Sequence, residues 1–269
     1  MLVRDVGDTG GMPDSDRIRS TAVVVTAVAQ AVVGLGSQLV VDAGSSNRAI
    51  SDANQSPVTP AGYAFSIWGL IYLACLVLAV YQARSDQQDR PVHRRTGWWL
   101  VGAFTAATVW IPVFTSRTLW LAQVVILVLL ASLVVAVRRS VRTGPAQDRR
   151  EQLAFRLPVT LYLGWVTLAT VAGFGTTFRS SGIPERGLSA VALSVLLVLA
   201  ATVFSVVVVG RFTALAAFTF TAGWALVAIV VASPSVAVKV GAVLALLVIA
   251  AVLVIRTFHS RHKATLLLG

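Results

Sequence analysis

The sequence predicts an all-α membrane protein of about eight transmembrane helices, and three observations carry that prediction. Of its 269 residues 57% are hydrophobic and only 12% charged, with a mean hydropathy of +0.81; an ordinary soluble domain carries roughly 25% charged residues. The apolar residues arrive in uncharged runs close to the ~20 residues a helix needs to cross the hydrocarbon core. The basic residues are shared very unevenly between the alternate segments that connect those runs.

The runs fall at 20–41, 62–82, 97–115, 118–137, 157–178, 188–209, 212–232 and 236–255, and the only charged side chain they contain is Lys239. None shows the strict alternation of a lipid-facing strand, so helices are expected rather than a barrel. The stretch 188–232 is too long for one crossing and carries Arg211 near its middle, which divides it into two helices with a tight turn at 210–211. A second tight turn is expected at 116–117. No connecting segment is long enough for an independent domain. Residues 1–19 hold Asp5, Asp8, Asp14 and Asp16 beside Arg4, Arg17 and Arg19, and are expected to form a disordered tail. The long apolar run behind that acidic start favours a retained first helix over a cleaved signal peptide.

Seventeen of the 22 Lys and Arg lie on the side that holds both termini, the loops 83–96 and 138–156, and Arg211; Arg48, Arg117, Arg179, Arg186 and Lys239 lie on the other. Positive residues favour the cytoplasmic side. The expected protein is therefore a multi-pass plasma-membrane protein with N- and C-termini inside, which requires an even number of spans. The net charge of +11 then faces lipid headgroups, and membrane lipids rather than nucleic acid are the expected partner.

What the runs lack excludes function classes. Charge-driven pumps place ionisable groups inside the bundle, and here there are none beyond Lys239. His93, His259 and His262 all lie outside the runs, which removes a buried imidazole for haem or zinc and any serine triad in the membrane. Cys75 is the only cysteine, so neither a disulfide framework nor a thiolate metal site is expected. Ordinary hydrolytic or transfer catalysis is not expected, and no metal or catalytic residue is assigned.

Aromatic residues are the positive signal. In the second run Phe65, Trp68 and Tyr72 are three and four residues apart and share a helix face. The third offers Phe104, Ala107, Trp110 and Phe114, with Pro112 expected to bend it. The fifth opens at Pro158 and aligns Tyr162, Trp165, Ala169 and Ala172. Trp98 and Trp99, at the start of their helix, suit an interfacial belt, whereas Trp68 and Trp165 lie deeper. Small neighbours such as Gly62, Gly69, Gly164 and Gly173 leave room for another backbone or for a flat ligand.

The stretch SPVTPAGYAFSIWGLIY ending at Tyr72, then Trp110, then PVTLYLGWVTLAT from Pro158, resembles the TspO family of tryptophan-rich sensory proteins, relatives of the translocator protein. The order of landmarks is similar over residues 20–178. The resemblance implies a TspO-like five-helix bundle over 20–178 with a lid loop at 42–61, followed by a three-helix membrane extension (179–255) and a basic cytoplasmic tail (256–269). It implies a binding protein or sensor for a planar apolar ligand, such as a porphyrin or a sterol-like molecule, with some role in its passage. The ligand-binding residues it implies are Pro60, Phe65, Trp68, Tyr72, Ala107, Trp110, Tyr162, Trp165 and Ala169, with Tyr72 or Tyr162 supplying a polar contact.

Three positions depart from the family pattern. Ala107 and Gly173 stand where amide side chains are expected, and Phe65 is one residue closer to Trp68 than is familiar. No cofactor is required; a tetrapyrrole (porphyrin or haem) is a candidate ligand and a second copy in a homodimer a candidate partner. The alternatives are a permease for an uncharged solute and a protein that modifies a bound tetrapyrrole.

Overall fold

A computed structural model describes residues 14–40 and 46–269, with only the backbone described at 38–40. The first 13 residues of the expected tail, and residues 41–45 of the expected lid loop, lie outside the described residues. The described residues hold helices and no strand, and eight of the helices are long and apolar enough to cross a membrane. We label them α1 (Asp14–Val40), α2 (Ile67–Ala83), α3 (Pro91–Thr115), α4 (Leu119–Val141), α5 (Leu157–Ser180), α6 (Leu188–Arg211), α7 (Leu215–Ala232) and α8 (Val236–His259).

Local chemistry explains where they start and stop. A 3-10 turn, Gly62–Ser66, leads into α2. Pro91 occupies the first turn of α3, where its missing N–H costs nothing. Before α5, Asp148 caps the short helix Arg149–Glu151 by accepting from the Glu151 N–H at 2.7 Å. Tight turns precede α4 and α7, each with a non-glycine residue in the left-handed region, Arg117 (φ 61°) and Ala214 (φ 60°); the second falls at 212–214 rather than 210–211, because α6 continues through Arg211. Pro112 sits three residues from the end of α3, which continues to Thr115.

Both ends of the bundle are defined by what they hold. The basic end carries the start of α1, the connections α2–α3, α4–α5 and α6–α7, and the C-terminus; the far end carries 46–61 and the other connections. α1 and α3 start nearer the basic end than the uncharged runs suggest, and a short helical segment, 149–156, precedes α5 there, because charged side chains at this end are buried in pairs. Asp16 accepts from Arg94 Nε at 2.9 Å and also pairs with Arg19, which reaches the Gln88 carbonyl. Glu151 is held between Arg90 and Arg156, the latter at 2.8 Å. Asp16 and Glu151 are both buried. Residues 14–19 are therefore helical and seated on α3 rather than a tail. His93, expected outside the spans, lies in the first turns of α3, buried edge-on against Phe155 (4.7 Å) and Tyr81 (5.7 Å), with neither ring nitrogen paired among the described residues.

α5 is the most enclosed span: 67% of its most apolar window is buried, against 22% for α8. It packs on α4 and α7, while α1 packs on α2 and α3, and α6 and α8 close the outer side. The α5–α7 approach is backbone-close because Gly164 has no side chain; a Cβ there would lie 2.2 Å from Thr221 Oγ1 and 2.5 Å from the Phe218 carbonyl oxygen. Thr221 donates across the gap to the Leu161 carbonyl at 3.0 Å. Further up, Ala61 N–H donates to the Ala228 carbonyl (3.0 Å), and Trp224 Nε1 donates to the Ala64 carbonyl (3.2 Å). Helices α6–α8 thus share one apolar core with the first five spans. Leu73, Val77, Val80, Val124, Val128, Leu199, Val203, Leu244 and Leu247 are exposed. Such an apolar exterior is costly in water and matches hydrocarbon.

Candidate ligand pocket

Trp68 is the hub of an aromatic cluster in the far half of the bundle. Its ring stacks on Tyr72 (5.6 Å) and Trp110 (6.2 Å) and meets Trp165 (5.9 Å) and Tyr162 (6.1 Å) edge-on. Trp110 stacks in turn on Phe114 (4.7 Å), and Phe65 meets Trp165 edge-on at 6.5 Å. The spacings explain the assembly. One turn of α2 separates Trp68 from Tyr72 and one turn of α3 separates Trp110 from Phe114, so each pair shares a face, and α5 brings Trp165 against both.

Beside this cluster lies a cleft of about 530 Å³, a volume that includes the solvent space at its open mouth. Pro60, Phe65, Trp68, Trp110, Trp165 and Ala169 line it, together with Ser51, Phe114, Leu168, Ala172, Gly173, Thr176, Ala225 and Ile229. Tyr72, Ala107 and Tyr162 do not. All three lie one helical turn deeper toward the basic end, behind the tryptophans. α2 runs inward from the far end, so the residue four after Trp68 points below the floor; α3 and α5 run outward, so the residue three before Trp110 or Trp165 does the same. Tyr162 instead donates to Gln30 Oε1 at 3.2 Å and stacks on Phe104.

The cavity's polar groups are therefore not the expected tyrosines. The polar side chains that line it are Ser51 and Thr176, the latter donating to the Ala172 carbonyl at 3.1 Å, and a further lining residue, Trp165, carries an indole N–H. That N–H is buried and has no acceptor among the described residues. An unmade hydrogen bond in such a setting costs about 1–3 kcal/mol. Trp68, Trp110 and Trp165 are all buried.

The amide missing at 107 and 173 has a counterpart from an unexpected helix. Gln123 of α4 is buried, donates from Nε2 to the Thr170 carbonyl at 3.0 Å, and places Oε1 2.6 Å from where a Cβ on Gly173 would stand. Gly173, a lining residue, leaves room for that carboxamide against α5. Nothing in the spacing along α5 could have revealed it.

The far-end segment forms the roof. The helix Asn47–Ala53 is N-capped by Ser46, whose side chain accepts from the Ala49 N–H at 3.1 Å, and Ile50 and Val58 are fully buried. Ser51 and Pro60 reach the cavity from this segment. A polar vestibule of about 550 Å³, open solvent included, is lined by Asp52, Gln55, Thr59, Glu185 and again Pro60. Among the described residues no three potential metal ligands gather anywhere; Cys75 is buried and free.

The chain matches the model of the family described as TSPO-like protein over residues 20–257, which takes in all eight spans rather than the first five alone. Neither a curated protein nor a solved structure matches it.

Proposed function

Given that the chain belongs to the TSPO-like protein family, we propose that it is a membrane-embedded binding protein or sensor for a planar, largely apolar molecule such as a porphyrin or a sterol-like compound. The observation that carries the reading is the aromatic cavity with one buried, unsatisfied donor, the Trp165 N–H. An apolar body would be held by Phe65, Trp68, Trp110 and Phe114, and a carbonyl or ether oxygen on it would take the Trp165 proton. The ligand enters through the vestibule beneath 46–61 or laterally from the bilayer. Storage and sensing are favoured over free passage, because the cavity floor is closed by Trp68, Tyr72, Tyr162 and Phe104 and the basic end by the paired arginines. The charge asymmetry supports a plasma-membrane protein whose basic end faces the cytoplasm.

The test is a titration of detergent-purified protein with protoporphyrin IX, followed by tryptophan fluorescence, beside Trp68→Phe and Trp165→Phe. Saturable quenching that is weakened in both variants supports the pocket. Equal partitioning into wild type, variants and empty micelles removes the tetrapyrrole reading and leaves a neutral-solute permease to be tried by flux into proteoliposomes.

A further inference from the structure

We propose that Arg95, Arg139 and Arg142, together with Trp99, form a binding site at the basic end for the phosphate of an anionic phospholipid. Arg95 and Trp99 share one face of α3, a turn apart, while Arg139 lies in the last turn of α4 and Arg142 is its C-cap. The antiparallel packing of α3 on α4 brings the three guanidinium-bearing residues together. Arg95 Nη1 donates to the Arg142 carbonyl at 3.5 Å and Arg139 Nη1 donates to the Arg95 carbonyl at 3.3 Å. The Arg139 guanidinium lies 5.2 Å from the centre of the Trp99 ring, a cation–π distance.

All three arginines are exposed, and among the described residues none is within ion-pair distance of a carboxylate. The carboxylates buried at this end are already committed, Asp16 to Arg19 and Arg94, and Glu151 to Arg90 and Arg156. Like charges converge here on neutral acceptors only, an arrangement that an anion relieves. Guanidinium groups suit phosphate in particular because their planar donors match its oxygens.

The neighbouring surface decides in favour of a lipid over a free phosphate. Trp98 is 55% exposed and Trp99 36%, one turn from Arg95 toward the apolar body of α3. Tryptophan at such a depth sits among headgroups and glycerol, so the cations meet the phosphate while the rings pack on the first carbons of the chains. Among the described residues most of the other arginines that find a partner reach a carboxylate, and none of them lies over a tryptophan ring.

The experiment is native mass spectrometry of the full chain in detergent, titrated separately with dioleoylphosphatidylglycerol, dioleoylphosphatidylcholine and inorganic phosphate. A single phosphatidylglycerol adduct is expected to survive activation that strips phosphatidylcholine. The Arg95→Gln/Arg139→Gln/Arg142→Gln variant should lose that adduct several-fold, whereas Arg149→Gln/Arg150→Gln, which removes exposed charge from the same end, should retain it. Equal retention of the two lipids by wild type, a comparison that needs no variant, overturns the proposal. So does an equal loss in both variants, which would reduce the effect to diffuse charge, or phosphate binding as strong as the lipid's, which would make this a free-anion site.

Discussion

Replacing Gly164 with alanine adds one methyl group at the point where α5 and α7 touch. That carbon would stand 2.2 Å from Thr221 Oγ1 and 2.5 Å from the backbone oxygen of Phe218. The Thr221 side chain can rotate, but the Phe218 carbonyl belongs to the helix, so α7 must move. Overpacking of this kind costs about 1–3 kcal/mol, and a rotated Thr221 also surrenders its bond to the Leu161 carbonyl, worth roughly 1 kcal/mol. For a soluble chain of similar size each kcal/mol moves the midpoint by about 2–4 °C, so a fall of several degrees is expected in a thermal melt of detergent-purified protein. Because α7 supplies Ala225 and Ile229 to the cavity, ligand affinity should fall with it. Gly69→Ala is the control: nothing lies within 4 Å of its added Cβ, and alanine is the better helix former by about 1 kcal/mol. A Gly164→Ala protein that melts with wild type, or a Gly69→Ala protein that loses as much, would refute the packing of α7 on α5.

Other variants probe the remaining parts of the account. Glu151→Ala strands Arg90 and Arg156 without their anion in a buried setting and should cost about 3–5 kcal/mol, read as lost yield and a large fall in melting temperature; a wild-type melt would mean that the carboxylate is solvated. Tyr162→Phe removes its bond to Gln30 at about 1 kcal/mol, yet should leave porphyrin affinity unchanged because the hydroxyl lies beneath the floor; a marked loss in a fluorescence titration would place the ligand deeper. Ala169→Leu puts a branched side chain into the cavity wall and should weaken binding at least about tenfold, or 1.4 kcal/mol, with a normal melt; unchanged affinity would move the site elsewhere.

The eight spans were legible because hydrocarbon demands long uncharged runs, and Arg211 alone was enough to split 188–232. Their ends at the basic side were not. Asp16 finds Arg94 across 78 positions and Glu151 finds Arg90 across 61, so reading charge as the mark of a loop cut α1 and α3 short, missed the helical segment 149–156 and left His93 outside. Of the nine residues expected at a ligand site, Pro60, Phe65, Trp68, Trp110, Trp165 and Ala169 line the cavity. Tyr72, Ala107 and Tyr162 lie one turn deeper, because a shared face does not say which end of the face is open. The glycines show the same limit: Gly164 admits a helix, Gly173 admits the Gln123 carboxamide, and Gly69 faces nothing. The contributions of Ser51, Ala225 and Ile229 depend on contacts between distant segments, with no local pattern to announce them.

The most direct test of the pocket is a ¹H–¹⁵N spectrum of protein labelled at its seven tryptophans, with the Trp165 indole signal assigned by Trp165→Phe. Protoporphyrin IX dimethyl ester, which carries ester carbonyls, and etioporphyrin, which carries only alkyl groups, would be added in turn. The account predicts that both perturb the Trp68 and Trp110 signals, and that only the ester shifts the Trp165 N–H strongly downfield as it gains an acceptor. A Trp165 signal that ignores both ligands while Trp98, Trp99 or Trp120 responds would put binding on the outside of the bundle and contradict it.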